Sequence, residues 1–210
     1  WTPSCDQVRA QPYQVTIKAQ DQGPTVNLID LESFFIKVLA YGPKNLAASG
    51  DCQRILLSWS PSSCDPISNR VVGYKIYMDD LCNQWIPGAC ETGVLASSGY
   101  LWMGNTSGIN SCSFMVNNLN PGNYYSFRVV TQFQDGALSV ASQAICILLN
   151  RTKPILTNID VTSTSTITGT IDVKWLNPVS GSNGLDTLAY PGPYTFNLYR
   201  NGVTLPIFSY

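Results

Sequence analysis

The chain has 210 residues, seven cysteines and no histidine, and its 12 Lys and Arg nearly balance 13 Asp and Glu for a formal net charge of −1. That balance excludes a broad electrostatic grip on nucleic acid or anionic lipid, and no apolar run approaches the ~20 residues of a membrane span. Without an imidazole or a Cys-x2-Cys pair, the cysteines of so weakly charged a chain read as disulfide staples in an oxidising, extracellular setting rather than as metal ligands.

Apolar and β-branched residues alternate with period 2 along the chain, and no segment carries a 3.6-residue stripe with capping signals, so the expected fold is all-β. The opening Trp1-Thr2-Pro3-Ser4-Cys5 lacks the layout of a signal peptide, and the chain is expected to be a piece of a longer exported protein. Strands are predicted at 13–19 and 34–39, joined by a polar loop with Asp21, Gly23 and Pro24. Two strands cannot support a core of their own.

A fuller set opens at Pro43-Lys44-Asn45-Leu46, with predicted strands at 54–59, 72–77, 100–103, 112–116, 124–133 and 139–149. Their number and their Gly, Pro and Asn turns match a complete β-sandwich. Trp59 is the expected core indole. Leu119-x-Pro121-x-x-x-Tyr125 places a phenol where a sandwich corner needs one to bond the backbone before the next strand. A third unit opens at Lys153-Pro154-Ile155 and echoes the second, Trp175 matching Trp59 and Phe196-Asn197-Leu198-Tyr199 matching Tyr74-Lys75-Ile76-Tyr77. The expectation is tandem immunoglobulin-like or fibronectin type III β-sandwiches, one complete at 40–150 and two partial at 1–39 and 151–210.

Together, Tyr74-Lys75-Ile76-Tyr77, Cys90-Glu91-Thr92-Gly93-Val94, the run from Phe127 through Asp135-Gly136-Ala137 to Ser139, Pro154-x-x-x-Asn158 and Pro191-Gly192-Pro193-Tyr194 resemble a known set of repeats. These are the tandem fibronectin type III-like repeats of large gliding-motility-associated surface proteins of Bacteroidota. In the same family Trp1-x-Pro3-x-Cys5, Arg9, Pro12-Tyr13 and Ala19-x-Asp21 resemble the end of a cadherin-like or immunoglobulin-like module. The resemblance implies export by the type IX secretion machinery, a cell-surface address, and neighbouring domains of one long protein as the first partners. Surface polysaccharide or other cell-surface proteins are further expected partners.

The resemblance also bears on the disulfides. The family commonly has a cysteine where this chain has Ser126, which leaves Cys146 without its usual mate. The implied pairing joins Cys64 with Cys90, Cys52 with Cys146 and Cys82 with Cys112, while Cys5 is expected to bond to a part of its own module outside this chain.

Candidate sites are few. A serine or cysteine nucleophile needs a nearby base, histidine is absent, and no lysine or carboxylate variant shows a local signature, so no enzymatic activity is expected. Adjacent Asp79 and Asp80, or Asp65 with Glu91, are the carboxylate pairs available to glycosidase chemistry, and a solvated turn is the plainer reading. No cofactor is expected. Calcium is the one candidate cation, through Asp6, Asp21, Asp30 and Glu32 of the cadherin-like segment, although the linker Leu39-Ala40-Tyr41-Gly42-Pro43 lacks alternating acidic residues.

Trp85, Tyr100 and Trp102 lie in or beside a long insertion and are candidates for stacking sugar rings; the alternative is that they pack the insertion onto the sandwich. Asp186-Thr187-Leu188 resembles a periplasmic O-glycosylation acceptor, with Thr187 as its hydroxyl. Two function classes remain: a non-catalytic stalk or fibre segment of a large secreted multidomain cell-surface adhesin, which the resemblance links to gliding motility, and a carbohydrate-binding accessory module of a secreted polysaccharide-degrading enzyme.

Overall fold

The computed structural model describes residues 2–23, 28–51, 53–64, 70–150, 155–176, 191–199, 201, 206 and 208–209. Cys52, Asp65, Asp186 and Thr187 lie outside the described residues. The chain divides into two compact units, 1–149 and 150–210.

In the first unit a short 3-10 turn, Cys5–Gln7, precedes a hairpin of β1 (Tyr13–Gln20) and β2 (Ile29–Ile36), registered from Tyr13 opposite Ile36 to Gln20 opposite Ile29. Two antiparallel sheets follow. One has the order β3 (Ala47–Asp51), β4 (Arg54–Ser58), β7 (Ser113–Val116). The other has the order β6 (Leu101–Ser107), β5 (Val71–Asp79), β8 (Tyr124–Phe133), β9 (Ile145–Leu148).

The inner faces of these sheets meet in one core. Alternation along β4 buries Ile55 and Leu57, and the chain then turns Trp59 inward, 6% exposed. They pack with Tyr74, Ile76, Val116, Leu119, Tyr125, Phe127, Val129 and Leu149, and Trp59 meets Tyr74 edge-on at 5.4 Å. The expected corner forms: the Tyr125 hydroxyl accepts from Asn120 N at 2.9 Å and donates to Asn120 O at 3.3 Å.

Residues 1–39 do not form a unit of their own. Val8, Val38 and Ala40, which flank the hairpin, share a buried cluster with Cys64, Val71, Phe133 and Ala137, whereas the hairpin strands themselves stay largely exposed, since two strands enclose no core of their own. The predicted strand at 139–149 is likewise shortened to β9. Ser139 and Ser142 offer their hydroxyl oxygens to Thr131 N and Val129 N, each at 2.9 Å, and this side-chain bonding replaces the regular ladder.

The second unit contains the hairpin of β10 (Ile155–Thr164) and β11 (Gly169–Leu176) and a short pair, β12 (Asn197–Leu198) with β13 (Phe208–Ser209). Trp175, the sequence counterpart of the core indole, is half-buried.

Candidate functional site

The long β8 strand is buried on both faces. Tyr125, Phe127 and Val129 face the core, yet outward-facing Ser126, Arg128 and Val130 are also 0%, 5% and 0% exposed. Their cover includes the 80–100 insertion between β5 and β6. Asp79 accepts from Leu81 N at 3.0 Å and from Asn83 Nδ2 at 2.6 Å, turning the chain back over the sheet. Ser126 Oγ then donates to Leu81 O at 2.6 Å, and Gly93 N donates to Ser139 O at 2.8 Å. The Asp79 carboxylate is thus a turn-former, and Asp80 stands exposed beside it.

Arg128 is the centre of this packing. Its guanidinium donates to Ser142 O at 2.6 Å and to Trp85 O, and it lies 5.1 Å from the Trp85 ring and 5.6 Å from the Tyr100 ring. Carbonyl dipoles and aromatic faces take the place of a carboxylate. Tyr100, 4% exposed, also donates its hydroxyl to Asn83 O at 3.1 Å. The three nominated aromatics therefore do not share one open platform: Trp85 and Tyr100 enclose a buried cation, and only Trp102, 59% exposed, is open to solvent.

Trp102 stands on β6 beside a bulge. Ile76 opposes Gly104 and Tyr77 opposes Trp102, which leaves Met103 as the extra residue. Gly104 accommodates the bulge at φ +157, where a Cβ would come within 2.9 Å of the Phe114 ring. The shift puts Asn105 on the same outer face as Trp102, and the indole donates to Asn105 Oδ1 at 2.9 Å. Lys75 and Tyr77 on β5 face the same side, opposite Asn105 and Trp102. Partial burial raises the Tyr77 hydroxyl above its usual pKa.

The disulfides differ from the implied pairing. Cys5 bonds Cys64 and Cys82 bonds Cys146, with Cα separations of 5.2 and 5.4 Å, while Cys90 is free and exposed and Cys112 is free and half-buried. The physical reason lies in which face each residue occupies. Cys146 is paired with Ser126 on β8, and Ser126 is bonded to the Leu81 backbone, so Cys82 arrives above Cys146. Cys112 instead turns inward below the Tyr74 hydroxyl, 3.9 Å away, and burial raises its thiol pKa. Cys64 is claimed by the amino-terminal segment, so Cys5 finds its partner inside this chain.

That segment is strapped on by more than the disulfide. Arg70 donates to Asp6 O, Ala10 N donates to Asp135 Oδ2 at 2.9 Å, and Lys37 reaches Thr92 at 3.3 Å. The Ala10 bond, then the Ala137 amide and the Arg70 charge 3.8 Å away, hold the Asp135 carboxyl below its usual range. Among the described residues no three His, Cys, Asp or Glu converge to hold a metal. Of the nominated calcium ligands, Asp21 instead accepts from Leu28 N at 2.8 Å at the end of the hairpin.

Sequence reasoning missed two functional parts, the Arg128 cage and the Cys5 strap. The signal for the first was an arginine in the middle of an otherwise apolar strand; the second had no local signal.

Residues 42–145 match the fibronectin type III domain family. Among solved structures the chain is similar to titin domains A168–A170, at 17% identity and TM-score 0.39, covering 58% of this chain and 36% of that one. It is also similar to the chicken CNTN1 FN1–FN3 domains, at 16% identity and TM-score 0.39 with 68% and 44% covered. A further likeness is to the Yersinia enterocolitica family 28 exopolygalacturonase, at 21% identity and TM-score 0.38 with 54% and 21% covered. The chain thus spans less than half the length of each of these three. The two disulfides among the described residues and this fold accord with an extracellular location, and no helix among those residues is long and apolar enough to cross a membrane. The chain carries a fibronectin type III domain, a module that is typically structural or linking in multidomain proteins and generally non-catalytic.

Proposed function

We propose that the chain is a non-catalytic stalk or fibre segment of a large secreted, multidomain cell-surface adhesin. The observation that carries this reading is the strap: Cys5 is bonded to Cys64, and Val8, Val38 and Ala40 are buried with Val71 and Phe133. A segment entering the domain is thereby crosslinked to it, which restricts bending where a chain under load would otherwise hinge. The motifs shared with gliding-motility-associated, type IX-secreted proteins of Bacteroidota support the finer assignment to that class of adhesin.

Single-molecule stretching tests the mechanical role. The two crosslinks span separations of 59 and 64 residues, and these stretches stay closed until the disulfides are reduced. Reduction is expected to add roughly 400 Å of extension, at ~3.4 Å per residue. Equal extension with and without reductant would contradict the stapled stalk.

A second reading, a carbohydrate-binding accessory module of a secreted polysaccharide-degrading enzyme, draws support from the exposed Trp102.

A further inference from the structure

We propose that the outer face of β5 and β6 is a contact site for a uronate-bearing glycan, with Trp102 stacking on a pyranose ring and Lys75 and Asn105 binding its carboxylate. The site does not depend on the stalk reading, since a stalk can carry it.

The bulge at Met103 and Gly104 brings the parts together. In a regular strand Trp102 and Asn105 would point to opposite faces; with one residue inserted they point the same way, and their opposite numbers Tyr77 and Lys75 complete a four-residue cluster. An indole this exposed usually samples several rotamers. Here its N–H is held by Asn105 Oδ1 at 2.9 Å, so part of the ordering cost of stacking is met before a ligand arrives.

The remaining polar capacity of the cluster consists of donors. Asn105 spends its carbonyl on the indole, which leaves the amide hydrogens. The Lys75 ammonium and the Tyr77 hydroxyl have no side-chain partner among the described residues. The nearest carboxylate on the same face of β5, Asp79, is occupied by Leu81 N and Asn83 Nδ2, and so does not neutralise Lys75.

An apolar face beside an unpaired cation and a free amide matches a sugar that carries a carboxylate. The C–H face of the ring covers the indole, and the carboxylate accepts from ammonium and amide. A neutral sugar would use the stacking face and leave the charge unanswered. A nucleic-acid strand needs a basic groove that tracks successive phosphates, and this face offers one lysine.

The test is affinity electrophoresis of the full 210-residue chain in native gels containing polygalacturonate, with dextran as the neutral counterpart and single-stranded DNA as the polyanion control. Polygalacturonate is expected to retard the wild type, and dextran and DNA are not. Trp102→Ala should abolish the retardation with an unchanged melting temperature, because the side chain is exposed. Lys75→Met should weaken it roughly tenfold. Should Trp102→Ala fail to fold, the roughly tenfold weakening in Lys75→Met decides the matter. No retardation of the wild type would overturn the proposal. Equal retardation by dextran or DNA, or retardation that survives both substitutions, would also overturn it.

Discussion

Tyr74 shows how one side chain ties a sandwich together and leaves a pH signature. It is 0% exposed, its hydroxyl accepts from Ser62 N at 2.9 Å and donates to Ile109 O at 2.7 Å. Burial pushes its pKa from 10.0 up to about 12. A raised folded-state pKa means that the neutral phenol is favoured in the native state, so this contribution to stability is complete below pH 10 and is lost as pH rises towards 12. Denaturant melts are therefore expected to show stability falling between these values. Tyr74→Phe should flatten most of that slope, with Tyr77, shifted in the same direction, supplying the rest. The same substitution should cost about 1–3 kcal/mol at neutral pH, because it strands an amide and a carbonyl. An unchanged slope in the variant would remove Tyr74 from the account.

Among the elements, the 80–100 insertion departs most from a plain sandwich, since it turns the outward face of β8 into a second buried layer. Arg128 and the Cys82–Cys146 bond hold it from two sides. Arg128→Ala is expected to lower stability by about 1.5–3 kcal/mol through the loss of charged hydrogen bonds. Amide exchange should rise mainly within residues 81–99. Exchange that rises evenly over the core would show that the arginine acts on the whole domain.

Much of this architecture was legible in the sequence, because β4 and β5 bury side chains largely by local alternation and Trp59 and Tyr125 sit at spacings that a sandwich dictates. The insertion was not, because Ser126 and Arg128 read as the solvent side of a half-buried strand and only tertiary packing covers them. Nor were the disulfides, whose partners lie 59 and 64 residues apart and are selected by which face each cysteine occupies. Of the proposed glycan contact, the sequence displayed Trp102. The bulge that sets Asn105 beside it depends on cross-strand register, which single-strand periodicity does not encode.

At the scale of the whole molecule, residues 1–149 are one compact unit in which a fibronectin type III domain holds the preceding segment against itself. Buried apolar contacts alone would leave that segment free to peel away under load. A crosslink closing a loop of this length adds about 4 kcal/mol in chain-entropy terms, and the strap also engages Arg70 and Asp135. The central claim is that the Cys5–Cys64 and Cys82–Cys146 staples are both formed in the native protein. Non-reducing peptide mapping of protein isolated from its native source, with thiols blocked at the moment of harvest, tests it most directly. The account predicts crosslinked peptides joining Cys5 to Cys64 and Cys82 to Cys146, with Cys90 and Cys112 recovered as alkylated thiols. Recovery of Cys5 and Cys64 as free thiols, or joined to other cysteines, would contradict it.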